Sequence, residues 1–189
     1  MTGTTAAHMT FEQFERLPDS PGKLELLRGK VIGFPPAKLK HNEISERLFH
    51  RLTAILADAR SRGQCGVLGK VHHEMGYRIG YGWVQPDVSI THADQQADDY
   101  YLGSPALVVE VISSENADHV DGKIEEYSRN GAREIWVVYP VRKHVWVYTS
   151  GAAEMRSGDF RPDLLGGGMI DLDEIRLARS GSPGPGLRR

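Results

Sequence analysis

Apolar residues recur along this chain with two periods, and the periods divide it into helices and strands. Ile44, Leu48, Leu52, Ile55 and Leu56 fall on one helical face, with Arg47, Arg51, Asp58 and Arg60 mostly on the other. That pattern predicts an amphipathic helix, which Gly63 ends. Asp118 to Asn130 reads as a second helix, with Val120, Ile124 and Tyr127 on one side and Gly131 as its C-terminal stop. Thr10 ahead of Phe11, Phe14 and Leu17 predicts a short capped helix that Pro18 halts.

The strand signals lie between these helices. Leu24 to Leu27, Gly29 and then Val31-Ile32 read as strand, turn and strand. Val67 to Ile79 reads as extended, with Val71, His73, Met75 and Tyr77 alternating, and Trp83 to Ile90 reads as one strand carrying Pro86-Asp87. Ala106 to Ile112 is an apolar run broken only by Glu110, as expected of a central strand buried on both faces. Glu134 to Tyr139 and His144 to Thr149 form a hairpin. Residues 92–104 and Gly166 to Gly168 read as loops, and Leu172 to Leu177 as a last helical turn. The expected fold is one α/β (α+β) domain over residues 10–178, with a mixed central sheet flanked by helices. Residues 1–9 read as a leader and 179–189 as a disordered tail.

Composition narrows the function classes. The 189 residues suit one core. Hydrophobic residues make up 40% and charged residues 25%, which is enough apolar material to pack. The longest apolar runs are too short for a membrane span, and the N-terminus lacks the basic start and apolar stretch of a secretory signal. Cys65 stands alone, which excludes an internal disulfide framework and a cysteine-based zinc site. These features set the expectation of a cytoplasmic protein. The net charge of -2 and pI near 6.4 argue against a protein that coats DNA, but not against an enzyme with acidic metal ligands.

Candidate chemistry begins with acids in apolar surroundings. Glu110 lies among Leu107, Val108, Val109, Val111 and Ile112, where an isolated carboxylate would bear a large desolvation cost. It is therefore ion-paired, protonated or bound to a cation. Asp87 follows Pro86 and reads equally as an exposed turn residue or as a partner of Glu110 at one metal ion, if their strands are neighbours. Lys123 falls on the helix after the Glu110 strand, either solvated or turned to the same site, with Tyr127 on its face. Glu25 is another acid among leucines, facing either solvent or the site. His41, ahead of the long helix, reads either as a loop residue near the site or as exposed, the commoner state of a lone histidine. Gly122 is unusual inside a helix and is explained by close backbone approach or by an irregular turn. Carboxylate oxygens suit Mg²⁺ or Mn²⁺, and two or three acids with a lysine are the parts a phosphodiesterase needs.

The order Pro86-Asp87, Val109-Glu110-Val111-Ile112-Ser113, Lys123 with Tyr127, and Gly131-Ala132-Arg133-Glu134-Ile135-Trp136 resembles the Uma-type restriction endonucleases of the PD-(D/E)XK nuclease superfamily. Leu24 to Val31, His41 to Ser45 and Asp171 to Ile175 are similar to that family as well, so the resemblance covers roughly residues 10–178. It implies a restriction-endonuclease-like core, a Mg²⁺- or Mn²⁺-dependent nuclease site and a DNA substrate, with a homodimer able to cut both strands. It implies that Asp87 and Glu110 are metal ligands, helped by the backbone carbonyl of Val111. Glu25 would be the upstream acid and Lys123 the catalytic lysine, with Tyr127 and His41 in support. Two departures stand out. The superfamily's usual lysine position, two after the second acid, is Ile112 here. The family's Ser-Pro-Ser after the acidic strand is Ser113-Ser114-Glu115 here. Two further functions stay open: a nuclease-fold binding or scaffold protein without catalysis, and a phosphoesterase acting on RNA or nucleotides.

Overall fold

The computed structural model describes residues 8–112 and 119–175. The leader up to residue 7, the Ser113-Ser114-Glu115 segment, Asp118 and the tail beyond residue 175 lie outside the described residues.

The elements run α1 (Phe11–Phe14), β1 (Lys23–Leu27), β2 (Lys30–Phe34), α2 (Leu39–Ser61), β3 (Leu68–His73), β4 (Tyr77–Ile79), β5 (Gly82–Val84), β6 (Val88–His92), β7 (Tyr101–Leu102) and β8 (Leu107–Val111). They continue with α3 (Val120–Arg129), β9 (Glu134–Tyr139), β10 (His144–Thr149), β11 (Ala152–Arg156), β12 (Asp159–Phe160), β13 (Ile170–Asp171) and α4 (Leu172–Ile175). A six-stranded sheet has the order β11-β10-β9-β8-β6-β3, and a five-stranded sheet the order β2-β1-β5-β4-β7. Strands β8 and β9 run parallel, joined by α3 as a crossover, and the other pairs of the six-stranded sheet are antiparallel.

Alternation along β8 divides the core. Leu107, Val109 and Val111 pack with Ile44, Leu48, Leu52, Ile55 and Leu56 of α2. Val108 lies on the other face with Val120 and Tyr127 of α3 and with Leu27, Tyr77, Ile79 and Val84 of the five-stranded sheet. Every residue of β8 is buried, which explains the nearly unbroken apolar run. Gly122 permits the close approach of α3 to β1, since a Cβ there would lie 3.1 Å from Leu27 Cδ2. At the N-terminus, Thr10 and Gln13 form a reciprocal capping box on α1.

Two expected elements divide. The single strand expected over Trp83 to Ile90 is β5 and β6, which belong to different sheets. Pro86 has no N–H, and the N–H of Gln85 donates to the side-chain Oε1 of Glu25 rather than to the backbone of a neighbouring strand. The ladder therefore breaks where Asp87 stands. The extended stretch over Val67 to Ile79 likewise splits into β3 and β4 at Glu74, whose φ of 48° turns the chain. The ribbon β3-β4/β5-β6 thus bends from one sheet into the other at one level. Its two halves are tied there by the Glu74 N–H donating to the Asp87 carbonyl (3.1 Å) and the Gln85 amide donating to the Glu74 carbonyl (2.5 Å). The expected loop 92–104 also contains β7, which extends the second sheet, and β11 lengthens the expected hairpin into a meander.

Candidate functional site

The bend in the ribbon builds the site. Val88 pairs with Val109, so one step further along the same antiparallel ladder Asp87 faces Glu110. The Val111 N–H donates to Oδ2 of Asp87 at 2.6 Å. The N–H and carbonyl of one strand residue point to the same side, so the Val111 carbonyl also faces the Asp87 edge. Both acids are 3% exposed, which removes the exposed-turn reading of Asp87.

Lys123 is not solvated. It reaches down from α3 and places Nζ 2.6 Å from Oε1 of Glu110 and 3.0 Å from the Glu25 carboxylate. Tyr127, one turn later on α3, donates its hydroxyl proton to the same Glu110 oxygen at 2.7 Å. Glu25, fully buried on β1, also holds Lys23 at 3.4 Å and accepts the Gln85 N–H. His41 departs from its expected exposure. It lies in the first turn of α2, half-buried, with Nε2 3.1 Å from Oδ1 of Asp87. The helix start, not the local sequence, delivers it there.

The charges of these groups follow from their neighbours. Burial pushes the Glu110 carboxyl above the usual carboxylate range, aided by repulsion from Asp87 and Glu25, while Lys123 pulls it back. Burial also acts on Asp87, but the hydrogen bond from His41 and the charge of Lys23 outweigh it and hold that acid below its ordinary value. The same hydrogen bond raises His41. Burial alone would lower Lys123, but the negative charges of Glu110 and Glu25 dominate and raise it, so it remains an ammonium.

A cavity of about 150 Å³ opens onto this cluster. Asp87, Glu110, Lys123 and His41 line it, together with Phe34-Pro35-Pro36, Glu74 and Gln85. Lys23, Phe34, Glu74 and Gln85 were not among the sequence candidates. Alternation along β1 puts Lys23 on the face of Glu25, a usable signal. Nothing local marks Phe34, whose ring centroid lies 5.4 Å from the ammonium of Lys23 and 5.8 Å from that of Lys123. Arg51 and Arg60 of α2 and Arg62 just beyond it are engaged elsewhere: Arg51 binds the Met169 carbonyl, Arg60 the Gly69 carbonyl and Arg62 Asp58. Among the described residues no three His, Cys, Asp or Glu side chains converge on one point. The oxygens of Asp87 and Glu110 are hard donors, and Mg²⁺ commonly takes one or two carboxylates with water and phosphate oxygens completing its shell. The residues present fit such an ion.

Comparison with known proteins gives the arrangement a context. A family model described as "Uma2: Putative restriction endonuclease" matches residues 11–173. The chain is similar to the crystal structure of a putative nuclease belonging to DUF820 from Anabaena variabilis ATCC 29413, with a TM-score of 0.74. The identity is 18%, over 88% of this chain and 97% of that one, so the likeness is one of fold. A comparison with curated proteins found no match.

Proposed function

The chain belongs to the Uma2 family of restriction endonucleases, and on that premise we propose that it is a divalent-metal-dependent endonuclease that hydrolyses phosphodiester bonds in DNA. The observation that carries the proposal is the register of β6 on β8, which sets Asp87 against Glu110 beside Lys123 at the wall of one cavity.

Asp87 and Glu110 would hold Mg²⁺ or Mn²⁺, with the Val111 carbonyl as a further oxygen donor. Once bound, the ion supplies charge neutralisation at the scissile phosphate and makes nearby water more acidic. The remaining work falls to the chain's own groups. Lys123 keeps its proton because Glu110 and Glu25 hold it, so it serves as a fixed positive charge rather than as the base that activates water. Such a charge binds a phosphoryl oxygen and offsets the negative charge that grows there. Glu25 orients Lys123 from behind, and through Gln85 it ties down the segment that presents Asp87. Tyr127 fixes Glu110, and His41 keeps Asp87 ionised.

A calorimetric Mn²⁺ titration of the wild type and Asp87→Ala tests the ligand set, and nicking of supercoiled plasmid with Mg²⁺ or with chelator tests the reaction. Binding and nicking by the wild type, both lost in Asp87→Ala, are expected. Metal-independent nicking that survives the substitution would remove this site from the chemistry.

One observation favours a second reading, a nuclease-fold binding protein without catalysis. Among the described residues the acids do not converge in threes, and Lys123 already neutralises Glu110. DNA binding without nicking at any metal concentration would decide for it.

A further inference from the structure

A second recess lies beside the candidate active site and shares a wall with it. Its volume is about 320 Å³, and Phe49, His50 and His73 form its aromatic side. Glu74 lines both spaces, and its N–H donates to the carbonyl of Asp87. His73 pairs across β3 and β6 with Val88, the residue after Asp87. The recess therefore adjoins the cavity of the acid cluster across Glu74.

The rings of Phe49 and His73 are held in place. Phe49 is half-buried, with its inner side against the α2 core, and it meets His50 at 5.4 Å and His73 at 6.0 Å. The Ser45 hydroxyl donates to the Asn42 carbonyl, so its oxygen accepts from Nε2 of His73 at 3.0 Å and fixes that ring. His41, Ser45 and Phe49 succeed one another at intervals of four along one face of α2. Eight positions of helix separate His41 from Phe49 by about 12 Å. That is the span of a few nucleotides at about 3.4 Å each when stacked.

The charge of the recess selects its occupant. Glu46 and Glu74 border it, which disfavours a phosphate and favours a neutral ring. From the shared wall, the spacing and the aromatic face, we infer that this recess is a stacking subsite for an unpaired nucleobase a few nucleotides from the scissile phosphate. The inference deepens the nuclease reading and rests on it for the position of the cut. It makes the substrate strand unpaired at this point, because a base stacked within a duplex has both ring faces covered by its neighbours.

The test is fluorescence anisotropy of a fluorescein-labelled twelve-nucleotide single strand, without divalent metal. The proteins are the wild type, Phe49→Leu, which keeps apolar bulk but removes the ring, and His73→Ala, at an exposed position. Thermal melts confirm folding. Phe49→Leu is expected to bind about five- to a hundredfold more weakly, and His73→Ala more weakly than the wild type. The same strand with abasic sites is expected to bind all three proteins alike. Unchanged affinity in both variants, an equal loss on the abasic strand, or no single-strand binding by the wild type would overturn the subsite. Base-dependent binding through Phe49 in a protein that never nicks DNA keeps the subsite and removes the nuclease reading. Nicking with both variants indifferent does the reverse.

Discussion

Nζ of Lys123 lies 2.6 Å from Oε1 of Glu110, with both side chains buried between α3 and the six-stranded sheet. The sequence left Glu110 three readings: a buried ion pair, a metal ligand or a protonated acid. The first holds in this structure, and it is compatible with the second. The pair keeps a carboxylate at the cavity wall that would otherwise be too costly to bury.

The two partners are not equivalent. Removing Lys123 leaves Glu110 and Glu25 facing each other without their shared cation, whereas removing the Glu110 charge leaves Lys123 paired with Glu25. Lys123→Met is expected to lose about 3–5 kcal/mol, the usual cost of breaking a buried pair from one side. Glu110→Gln should lose clearly less, and the double variant less than the sum of the two. Urea denaturation of the three proteins measures this. Equal losses in the single variants would mean that Glu25 does not hold Lys123.

The His41–Asp87 contact predicts a pH dependence for the metal-free protein. His41 has a raised pKa in the fold, so its contribution is fully present below the unfolded value of about 6.5 and is lost as pH rises through the folded value. Asp87 is lowered, so its contribution is present above the unfolded value of about 3.9 and is lost as pH falls through the folded one. The window for the pair therefore opens near pH 4 and closes above pH 6.5. The melting temperature of the wild type should exceed that of His41→Ala most near pH 5 to 6, and the gap should shrink by pH 8. A gap independent of pH would show that His41 acts through packing alone.

Gly82 opens β5 directly against β1, where a Cβ would lie 2.3 Å from the Leu26 carbonyl oxygen. Backbone cannot swing aside as a side chain can. Gly82→Ala should therefore push β5 from β1 and cost about 1–3 kcal/mol, as overpacking does. Because β1 carries Glu25, metal binding should weaken as well. Chemical denaturation and a Mn²⁺ titration of the same variant check both. Wild-type stability would show that the strands separate freely.

Much of this was legible in the chain order. The helical spacing from Ile44 to Leu56 defined α2 and its inward face, and the apolar run around Glu110 marked a strand buried on both sides. A carboxylate in that run had to have a partner, because desolvation of a lone charge is prohibitive. The roles of Lys123 and Tyr127 were half legible: their spacing put them on one face of a helix, but not which face looks inward.

Only the tertiary structure decided the rest. Local periodicity carries no strand register, and a shift of one residue would turn Asp87 away from Glu110. The break at Gln85-Pro86-Asp87 needed Glu25, sixty positions upstream, to take the Gln85 N–H, so a strand that looks continuous changes sheets. His41 reads as an ordinary exposed histidine until α2 packs on the sheet and its first turn arrives beside Asp87. What the sequence determined by itself was which segments are helix or strand and which charges could not stand alone, since those follow from period and desolvation. Which charges meet depends on contacts between residues distant in the chain, and those exist only once the sheets are paired.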